Sequence, residues 1–202
     1  MKIICVGRNY KKHAQELGNE VPEEPVLFMK ADSSLMRQRD TFYIPDFSSD
    51  VHYEAEIVIR INRLGKRIQS KFAPKYYAQY TIGIDFTARD VQKKLKEKGL
   101  PWEKAKAFDS SAVCGDWLDV EGVDLDNLKF ELKKNGEIVQ SGNTKDMLYP
   151  INDLVEHASE YFTLKIGDLI FTGTPEGVGK VESGDVLEGF IEGKQILRVR
   201  VK

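Results

Sequence analysis

The sequence predicts a mainly β fold with short helices, of the α+β class, built around a mixed and mostly antiparallel sheet. Apolar runs of strand length, bounded by Gly, Pro, Asn or Asp, recur along the chain, whereas only three stretches have helical composition or spacing. In addition, Asn135-Gly136 separates the apolar runs 128–132 and 137–140, as in a two-residue hairpin whose turn needs positive φ.

The other elements follow one another without a linker-like stretch, which predicts one domain over residues 1–202. A helical stretch begins near Asn9, where the side chain can cap it, and ends at Gly18. Two further helices are predicted over 87–98 and 151–162. The remaining predicted strands cover residues 2–6, 26–29, 51–61, 81–86, 169–172, 186–191 and 196–201.

Composition excludes several classes of protein. Lys and Arg number 30 against 32 Asp and Glu, a net charge of −2, and the charges are spread, so we expect no nucleic-acid partner. No apolar run reaches the length of a membrane span, so we expect no membrane partner. The N-terminal apolar run is too short for a signal peptide and soon meets Arg8, which predicts a cytoplasmic location.

Glu54 and Glu56 are the first candidate metal ligands. On a strand they point to the same face, with Cα atoms about 6.8 Å apart. If both are buried, a hard divalent cation that takes oxygen from each relieves their repulsion. The alternative is an ordinary strand with one face in water.

Asp85 ends an otherwise apolar strand and offers a third carboxylate, a set that suits Mg²⁺ or Mn²⁺ better than zinc. Its alternative role is to cap the helix that follows. On that helix Arg89 and Gln92 are three residues apart and share a face. Lys104 and Lys106 lie in the next loop, where a lysine can neutralise a developing oxyanion or simply be solvated.

Two further segments carry candidate chemistry. His13 and Glu16 are three apart on the first helix, so the carboxylate can orient the imidazole and raise its basicity. The Gly-rich run 172–180 follows a buried-type strand and contains Thr174, and it can cradle an anion or serve as a tight loop. His52 and His157 have no such partner in the sequence.

Short motifs along nearly the whole chain together resemble the fumarylacetoacetate hydrolase family. They are Gly7-Arg8-Asn9-Tyr10 with His13 and Glu16, Pro25 with Val26–Lys30, Tyr53-Glu54-Ala55-Glu56, the run 85–92, Asn135-Gly136-Glu137 with Gln140, and the run 167–179. The short length, and Gly99-Leu100-Pro101-Trp102 before Lys106, are most similar to the small acylpyruvate hydrolase and oxaloacetate decarboxylase branch. Ala107 departs from the pattern, since relatives often carry Ser there.

The resemblance implies a mixed β-sandwich roll of the fumarylacetoacetate hydrolase type, usually a homodimer, that binds Mg²⁺ or Mn²⁺. It implies metal ligands at Glu54, Glu56 and Asp85, and catalytic residues at His13, Glu16 and Lys106, with His13 and Glu16 on a segment that closes over the substrate. It implies substrate contacts at Arg8, Arg89, Gln92 and Thr174.

The implied reaction is metal-dependent cleavage of a C–C bond in small 2-oxo acids through a metal-bound pyruvate enolate. Acylpyruvate hydrolysis uses His13 to deprotonate water, and oxaloacetate decarboxylation reaches the same enolate by loss of CO₂. One alternative is an isomerase or decarboxylase of the 2-hydroxyhepta-2,4-diene-1,7-dioate type. Another, from a different class, is a ligand-binding β domain without catalysis.

Overall fold

The computed structural model describes residues 1–16, 18, 20–37 and 40–202. Strands dominate it, and four α-helices and three short 3₁₀ segments connect them, so the predicted mainly β class with short helices is confirmed. No helix among the described residues has both the length and the apolar composition needed to span a bilayer.

The strands follow the chain in this order: β1 (Ile3–Gly7), β2 (Val26–Lys30), β3 (Thr41–Phe42), β4 (Val51–Tyr53), β5 (Ala55–Ile61), β6 (Tyr77–Asp85), β7 (Thr87–Ala88), β8 (Ala112–Cys114), β9 (Leu118–Asp119), β10 (Lys129–Lys134), β11 (Glu137–Asn143), β12 (Leu169–Phe171), β13 (Gly179–Lys180), β14 (Val186–Ile191) and β15 (Lys194–Val201). The α-helices are α1 (Lys11–Glu16), α2 (Arg89–Glu97), α3 (Glu103–Lys106) and α4 (Ile151–Tyr161). The 3₁₀ segments are Asp32–Ser34, Ser70–Lys75 and Thr144–Asp146.

Three sheets form the framework. The largest has the order β2-β1-β12-β5-β6-β8, with β9 also paired to β6. The second has the order β11-β10-β14-β15-β3, and the smallest the order β13-β4-β7. Only the pairs β1–β12 and β3–β15 are parallel among the described strands, so the predicted mixed, mostly antiparallel arrangement is confirmed.

The two larger sheets share one core. Ile57 and Ile82 of the first sheet and Phe130 and Leu197 of the second belong to the same buried cluster. The other face of the first sheet is also covered, because Val58 packs in a second, smaller cluster with Phe171 and its neighbours. Strand β5 is therefore buried on both faces, an environment in which a charged side chain must find a partner.

Several elements differ from their predicted bounds for identifiable reasons. The helix predicted from Asn9 begins at Lys11, because the Asn9 side chain bonds to Tyr149 and Thr172 instead of capping the helix. Gly18 does end this segment with φ of 64°, while Leu17 lies outside the described residues. The predicted strand 51–61 is split at Glu54, since β4 and β5 pair in different sheets.

The predicted hairpin at Asn135-Gly136 is present. Asn135 has φ of 54° and Gly136 φ of 87°, so both central residues adopt the positive φ that the turn requires. The side chain of Asn135 adds a bond to Asp185 and fixes the hairpin against the loop before β14.

Replacement of Gly83 tests the packing of β6 between its neighbours. A Cβ at this position would lie 2.8 Å from both Val113 O and Val58 Cγ2. We therefore expect Gly83→Ala to lower the free energy of unfolding by about 1–3 kcal/mol in chemical denaturation.

Gly7→Ala is the matched control in β1 of the same sheet. Its added Cβ would meet no atom closer than 3.8 Å, so we expect a change of less than about 0.5 kcal/mol. Equal stability of the two variants would contradict the packing described for β6.

Candidate metal and substrate site

The register of β5 on β6 places the predicted carboxylates together. Ala55 pairs with Ile84 and Glu56 with Gly83, and beyond them Asp85 N donates to Glu54 O at 2.8 Å. One oxygen from each of Glu54, Glu56 and Asp85 lies within 4.8 Å of the others, and all three residues are buried. The alternative of a strand with one face in water is therefore wrong.

Lys106, at the end of α3, lies between two of these carboxylates. Its Nζ donates to Glu54 Oε2 and Asp85 Oδ2, both at 2.7 Å, and to Thr87 Oγ1 at 2.6 Å. Asp85 therefore faces Lys106 and does not cap α2, whose N-cap residue is Ala88. Lys104, the other lysine considered in this loop, is exposed.

Arg89 supplies a second cation at the start of α2. Its guanidinium forms an ion pair with Glu54, and Nη1 donates to Gln92 Oε1 at 2.7 Å. This bond uses the oxygen of the Gln92 amide, whereas its Nε2 donates to no described residue and remains available as a donor.

Lys30 is a third cation, and its position within the motif Val26–Lys30 does not by itself indicate this role. Its buried Nζ lies 2.7 Å from Asp85 Oδ1, although without hydrogen-bond geometry to that oxygen. It also donates to the backbone oxygens of Lys106 and Ser111 and to Ser111 Oγ. The sequence does contain a signal for this role, which is a lysine at the end of the apolar strand 26–30. A lysine in such a position is rarely buried without a partner.

These contacts separate the titration of the two glutamates. Burial alone would raise the pKa of Glu54, but Lys106 and Arg89 outweigh it and hold that pKa well below the ordinary value. Burial raises the pKa of Glu56 well above the ordinary value, and the neighbouring charges of Asp85 and Glu54 raise it further. Glu56 has no ion-pair partner among the described residues and accepts only from Gly173 N, at 2.7 Å.

The same contacts show that the three carboxylates fit a divalent metal. The donor set is oxygen only, the ligand atoms are close enough to share one ion, and Asp85 Oδ1 is buried without a hydrogen bond. A hard cation here would also remove the repulsion that raises the pKa of Glu56. The residues present can therefore hold a divalent metal.

His13 and Glu16 form the pair that the spacing predicts. His13 Nδ1 lies 3.2 Å from Glu16 Oε2, and the imidazole is buried, with 5% of the residue exposed. Glu16 Oε1 accepts from Gly177 N at 3.1 Å, so the carboxylate joins α1 to the Gly-rich run 172–180. Both oxygens of Glu16 are thus engaged, and the imidazole is held in one orientation.

Most of the predicted site residues surround one cavity of about 40 Å³. The two that do not line it are Asp85, which contacts Lys106, and Glu16, which contacts His13. The lining side chains are those of Arg8, His13, Glu54, Glu56, Arg89, Gln92, Lys106 and Thr174, with Phe28, Lys96 and Trp102 in addition. A larger groove near Tyr10 and Phe130 contains none of the predicted site residues.

Gln140 is a buried residue whose role is not evident from its motif, Asn135-Gly136-Glu137 with Gln140. Its Oε1 accepts from Ala55 N at 2.9 Å, between the two glutamates, and its Nε2 donates to Thr174 Oγ1 at 2.9 Å and to Pro175 O. Because Thr174 Oγ1 accepts this bond, the Thr174 hydroxyl can donate its hydrogen to a different acceptor. Gln140 thereby links the second sheet to both parts of the site.

His52 differs from expectation. The sequence predicts no partner for its imidazole, but His52 Nε2 lies 3.0 Å from Asp50 Oδ1. Burial and the nearby charge of Arg89 lower its pKa below the ordinary value. It lies outside the cavity, so it adds no candidate ligand.

Comparison with known proteins agrees with this geometry. The family model described as fumarylacetoacetate (FAA) hydrolase C-terminal matches residues 2–202. The chain belongs to this family. The resemblance inferred from the motifs is thus confirmed over almost its full length.

Individual relatives share most of the chain. An oxaloacetate tautomerase of Escherichia coli (strain K12) is 42% identical over 197 residues, which are 96% of this chain and 90% of that protein. A mitochondrial oxaloacetate decarboxylase of Dictyostelium discoideum is 42% identical over 194 residues, 95% of this chain and 89% of that protein. This chain is therefore an enzyme of the family, as predicted.

A solved structure supports the fold assignment. The crystal structure of fumarylpyruvate hydrolase from Pseudomonas aeruginosa, in complex with Mn²⁺ and pyruvate, superposes with a TM-score of 0.94 at 36% identity. The match covers 100% of this chain and 89% of that one. The predicted family fold is therefore confirmed.

The opposite pKa shifts of the glutamates give a test in chelator-treated, metal-free protein. Folding raises the pKa of Glu56, so its ionisation costs stability as the pH rises from the ordinary Glu range toward the raised pKa. We expect Glu56→Gln to be more stable than wild type at pH 8, with the difference disappearing near pH 4. Urea denaturation across this range measures it.

Glu54→Gln is the matched control with the opposite sign. Folding lowers the pKa of Glu54, so its carboxylate stabilises the fold above the ordinary Glu pKa, and this contribution is lost on acidification. We expect Glu54→Gln to be less stable than wild type at pH 8. A change of the same sign in both variants would contradict the charge arrangement described here.

Proposed function

We propose that this enzyme uses a divalent metal to cleave a C–C bond in small 2-oxo acids, by acylpyruvate hydrolysis, oxaloacetate decarboxylation or both. One observation carries the proposal: Glu54, Glu56 and Lys106 line the same small cavity as the buried imidazole of His13. The site thus combines a cation-binding wall with a proton-transfer group, which is what stabilising and protonating an enolate requires.

Glu54, Glu56 and Asp85 would hold Mg²⁺ or Mn²⁺. When bound, such an ion supplies a Lewis acid that polarises the keto group of a 2-oxo acid and stabilises negative charge on its oxygen. The all-carboxylate donor set suits either ion, so the choice between them is left to measurement.

Lys106 supplies a fixed positive charge beside the place where negative charge develops. Burial lowers its pKa, but Asp85 and Glu54 outweigh that effect and keep the pKa above the ordinary value, so the ammonium stays charged at neutral pH. A charge held in a buried site acts on the transition state without solvent reorganisation.

Gln92 and Thr174 orient the substrate through donors that the protein leaves free. Gln92 Nε2 is available because it donates to no described residue, and the Thr174 hydroxyl hydrogen is available because Gln140 donates to its oxygen. Both groups line the cavity and can donate to a carboxylate or keto oxygen of the substrate.

His13 acts as the base, with Glu16 as its orienting partner. A proton on His13 Nδ1 bonds to Glu16 Oε2, which leaves Nε2 free to accept a proton from water. In acylpyruvate hydrolysis that water attacks the distal carbonyl, and the products are a carboxylic acid and pyruvate. Decarboxylation of oxaloacetate needs no attacking water, so it depends less on His13.

Oxaloacetate tautomerisation is a second candidate. It is favoured by the Escherichia coli relative, which is named for that activity and is 42% identical over 96% of this chain. The reaction moves a proton between the enol oxygen and C3, so it needs an oxyanion stabiliser and a proton carrier. Lys106 and His13 fit those two roles.

Other expectations stay predictions. They are a catalytic domain over residues 1–202, a homodimer, a cytoplasmic location and the absence of nucleic-acid and membrane partners. Isomerisation of 2-hydroxyhepta-2,4-diene-1,7-dioate is the remaining alternative within the family. It differs from the main proposal in needing room for a longer diacid.

Parallel assays test the proposal. Chelator-stripped protein is supplied with acetylpyruvate or oxaloacetate before and after addition of Mg²⁺ or Mn²⁺, while pyruvate release and loss of the oxaloacetate enol absorbance are recorded. We expect metal-dependent turnover of at least one substrate. Pyruvate from acetylpyruvate identifies hydrolysis, pyruvate from oxaloacetate identifies decarboxylation, and enol loss without pyruvate identifies tautomerisation.

Two variants separate the roles in the same assays. We expect Glu56→Gln to lose both metal binding and turnover, whereas His13→Gln binds metal but loses acetylpyruvate hydrolysis by about 10²-fold or more. Metal without protein is the blank for oxaloacetate. Equal loss of metal binding in both variants, or full hydrolysis by His13→Gln, would contradict the assigned roles.

A further inference from the structure

Two cationic side chains on the same cavity have no anionic partner among the described residues. Arg8 and Lys96 both line it, and neither side chain forms a hydrogen bond or ion pair with another described residue. Lys96 lies on α2 one turn after Gln92, and residues four apart share a helix face. Lys96 is only partly exposed, so its charge is incompletely solvated.

A series of ring contacts runs from Lys96 to Lys106. Lys96 Nζ lies 5.2 Å from the centroid of the Trp102 ring, whose centroid is 6.0 Å from that of Phe28. On the other side, Lys106 Nζ lies 5.1 Å from the centroid of Phe28. The two lysines therefore mark two ends of one apolar wall, with Lys106 at the end beside Glu54 and Asp85.

Arg8 is held at the cavity by a strained backbone. Its φ is 61°, a value that a residue with a long side chain rarely adopts and that costs about 1–2 kcal/mol. The next residue, Asn9, fixes this turn through bonds to Thr172 O and Tyr149. Strain of this kind is often maintained at a functional site.

The cations repel one another. Burial lowers the pKa of Lys96, the positive charges of Arg8, Arg89 and Lys106 lower it further, and the charge of Glu54 offsets these effects only in part. Arg89 and Lys106 have carboxylate partners, but Arg8 and Lys96 have none in the part of the chain that the structure describes. An anion between these last two would relieve the repulsion and gain charge-assisted hydrogen bonds.

We propose that Arg8 and Lys96 bind the second carboxylate of a dianionic 2-oxo acid, the carboxylate farther from Glu54, Glu56 and Asp85. This inference rests on the proposed function and adds specificity to it. The preferred substrates are then 2-oxo dicarboxylates, and 2-oxo acids with an uncharged acyl tail bind less tightly. Lys96 is the specificity-determining residue, because Gln92 and Lys106 serve the part of the substrate that all 2-oxo acids share.

A pair of ligands isolates the second carboxylate. 2-Oxoglutarate and 2-oxopentanoate have the same chain length and the same 2-oxo acid group, and only 2-oxoglutarate carries a distal carboxylate. Binding of each to Mn²⁺-loaded wild type and to Lys96→Gln is measured by calorimetry. We expect wild type to prefer 2-oxoglutarate, and Lys96→Gln to weaken its binding about tenfold while changing 2-oxopentanoate binding by less than about twofold.

Two further variants complete the test. Lys93→Gln removes an exposed lysine from the same helix and should leave both affinities unchanged. Arg8→Asn removes the guanidinium but keeps a residue type that tolerates positive φ, and it should weaken 2-oxoglutarate selectively, as Lys96→Gln does. The preference should also shrink as salt is raised.

The outcomes distinguish this inference from the proposed function. Failure of both acids to bind Mn²⁺-loaded wild type would overturn the 2-oxo acid site and the inference with it. Binding of both acids without preference in wild type would overturn the inference alone. So would an equal loss for both acids in Lys96→Gln, or a loss in Lys93→Gln as large as that in Lys96→Gln.

Discussion

Mutual repulsion among three buried carboxylates is the constraint on which the rest of the site depends. The pairing of β5 with β6 places Glu54 beside Asp85, and Glu56 follows on the same face. Such a group is unstable unless positive charge surrounds it, since buried like charges cannot all ionise at low cost. Lys106, Arg89 and Lys30 reach two of the carboxylates, and the third, Glu56, is left for a metal to neutralise.

Hydrogen bonds from the second sheet and from the Gly-rich run then fix other residues of the site relative to these carboxylates. Gln140, from the second sheet, bonds to Ala55 N and Thr174, so it joins the strand of the glutamates to the Gly-rich run. The same run bonds through Gly177 N to Glu16, which orients His13. The strand of Glu54 and Glu56, the Thr174 side chain and the imidazole of His13 are thus linked by hydrogen bonds through Gln140 and the Gly-rich run.

Much of this could be predicted from the sequence, because strand period, turn residues and charge are local properties. Alternation alone placed Glu54 and Glu56 on one face, and the hairpin followed from Asn135-Gly136. The cations that balance the carboxylates could not be predicted in this way. Lys30 is far from Asp85 in sequence, and the presence of Arg8, just after β1, and Lys96, on α2, at one cavity depends on how distant elements pack. Those contacts depend on how the strands and helices pack in three dimensions, which no local sequence pattern predicts.

Anomalous diffraction from crystals soaked in Mn²⁺ and pyruvate locates the metal and the 2-oxo acid directly. We expect one strong manganese peak bounded by Glu54, Glu56 and Asp85, with pyruvate between it and the side chains of Gln92 and Thr174. A manganese peak elsewhere, or none at the carboxylates while Lys106 still bridges Glu54 and Asp85, would contradict this expectation.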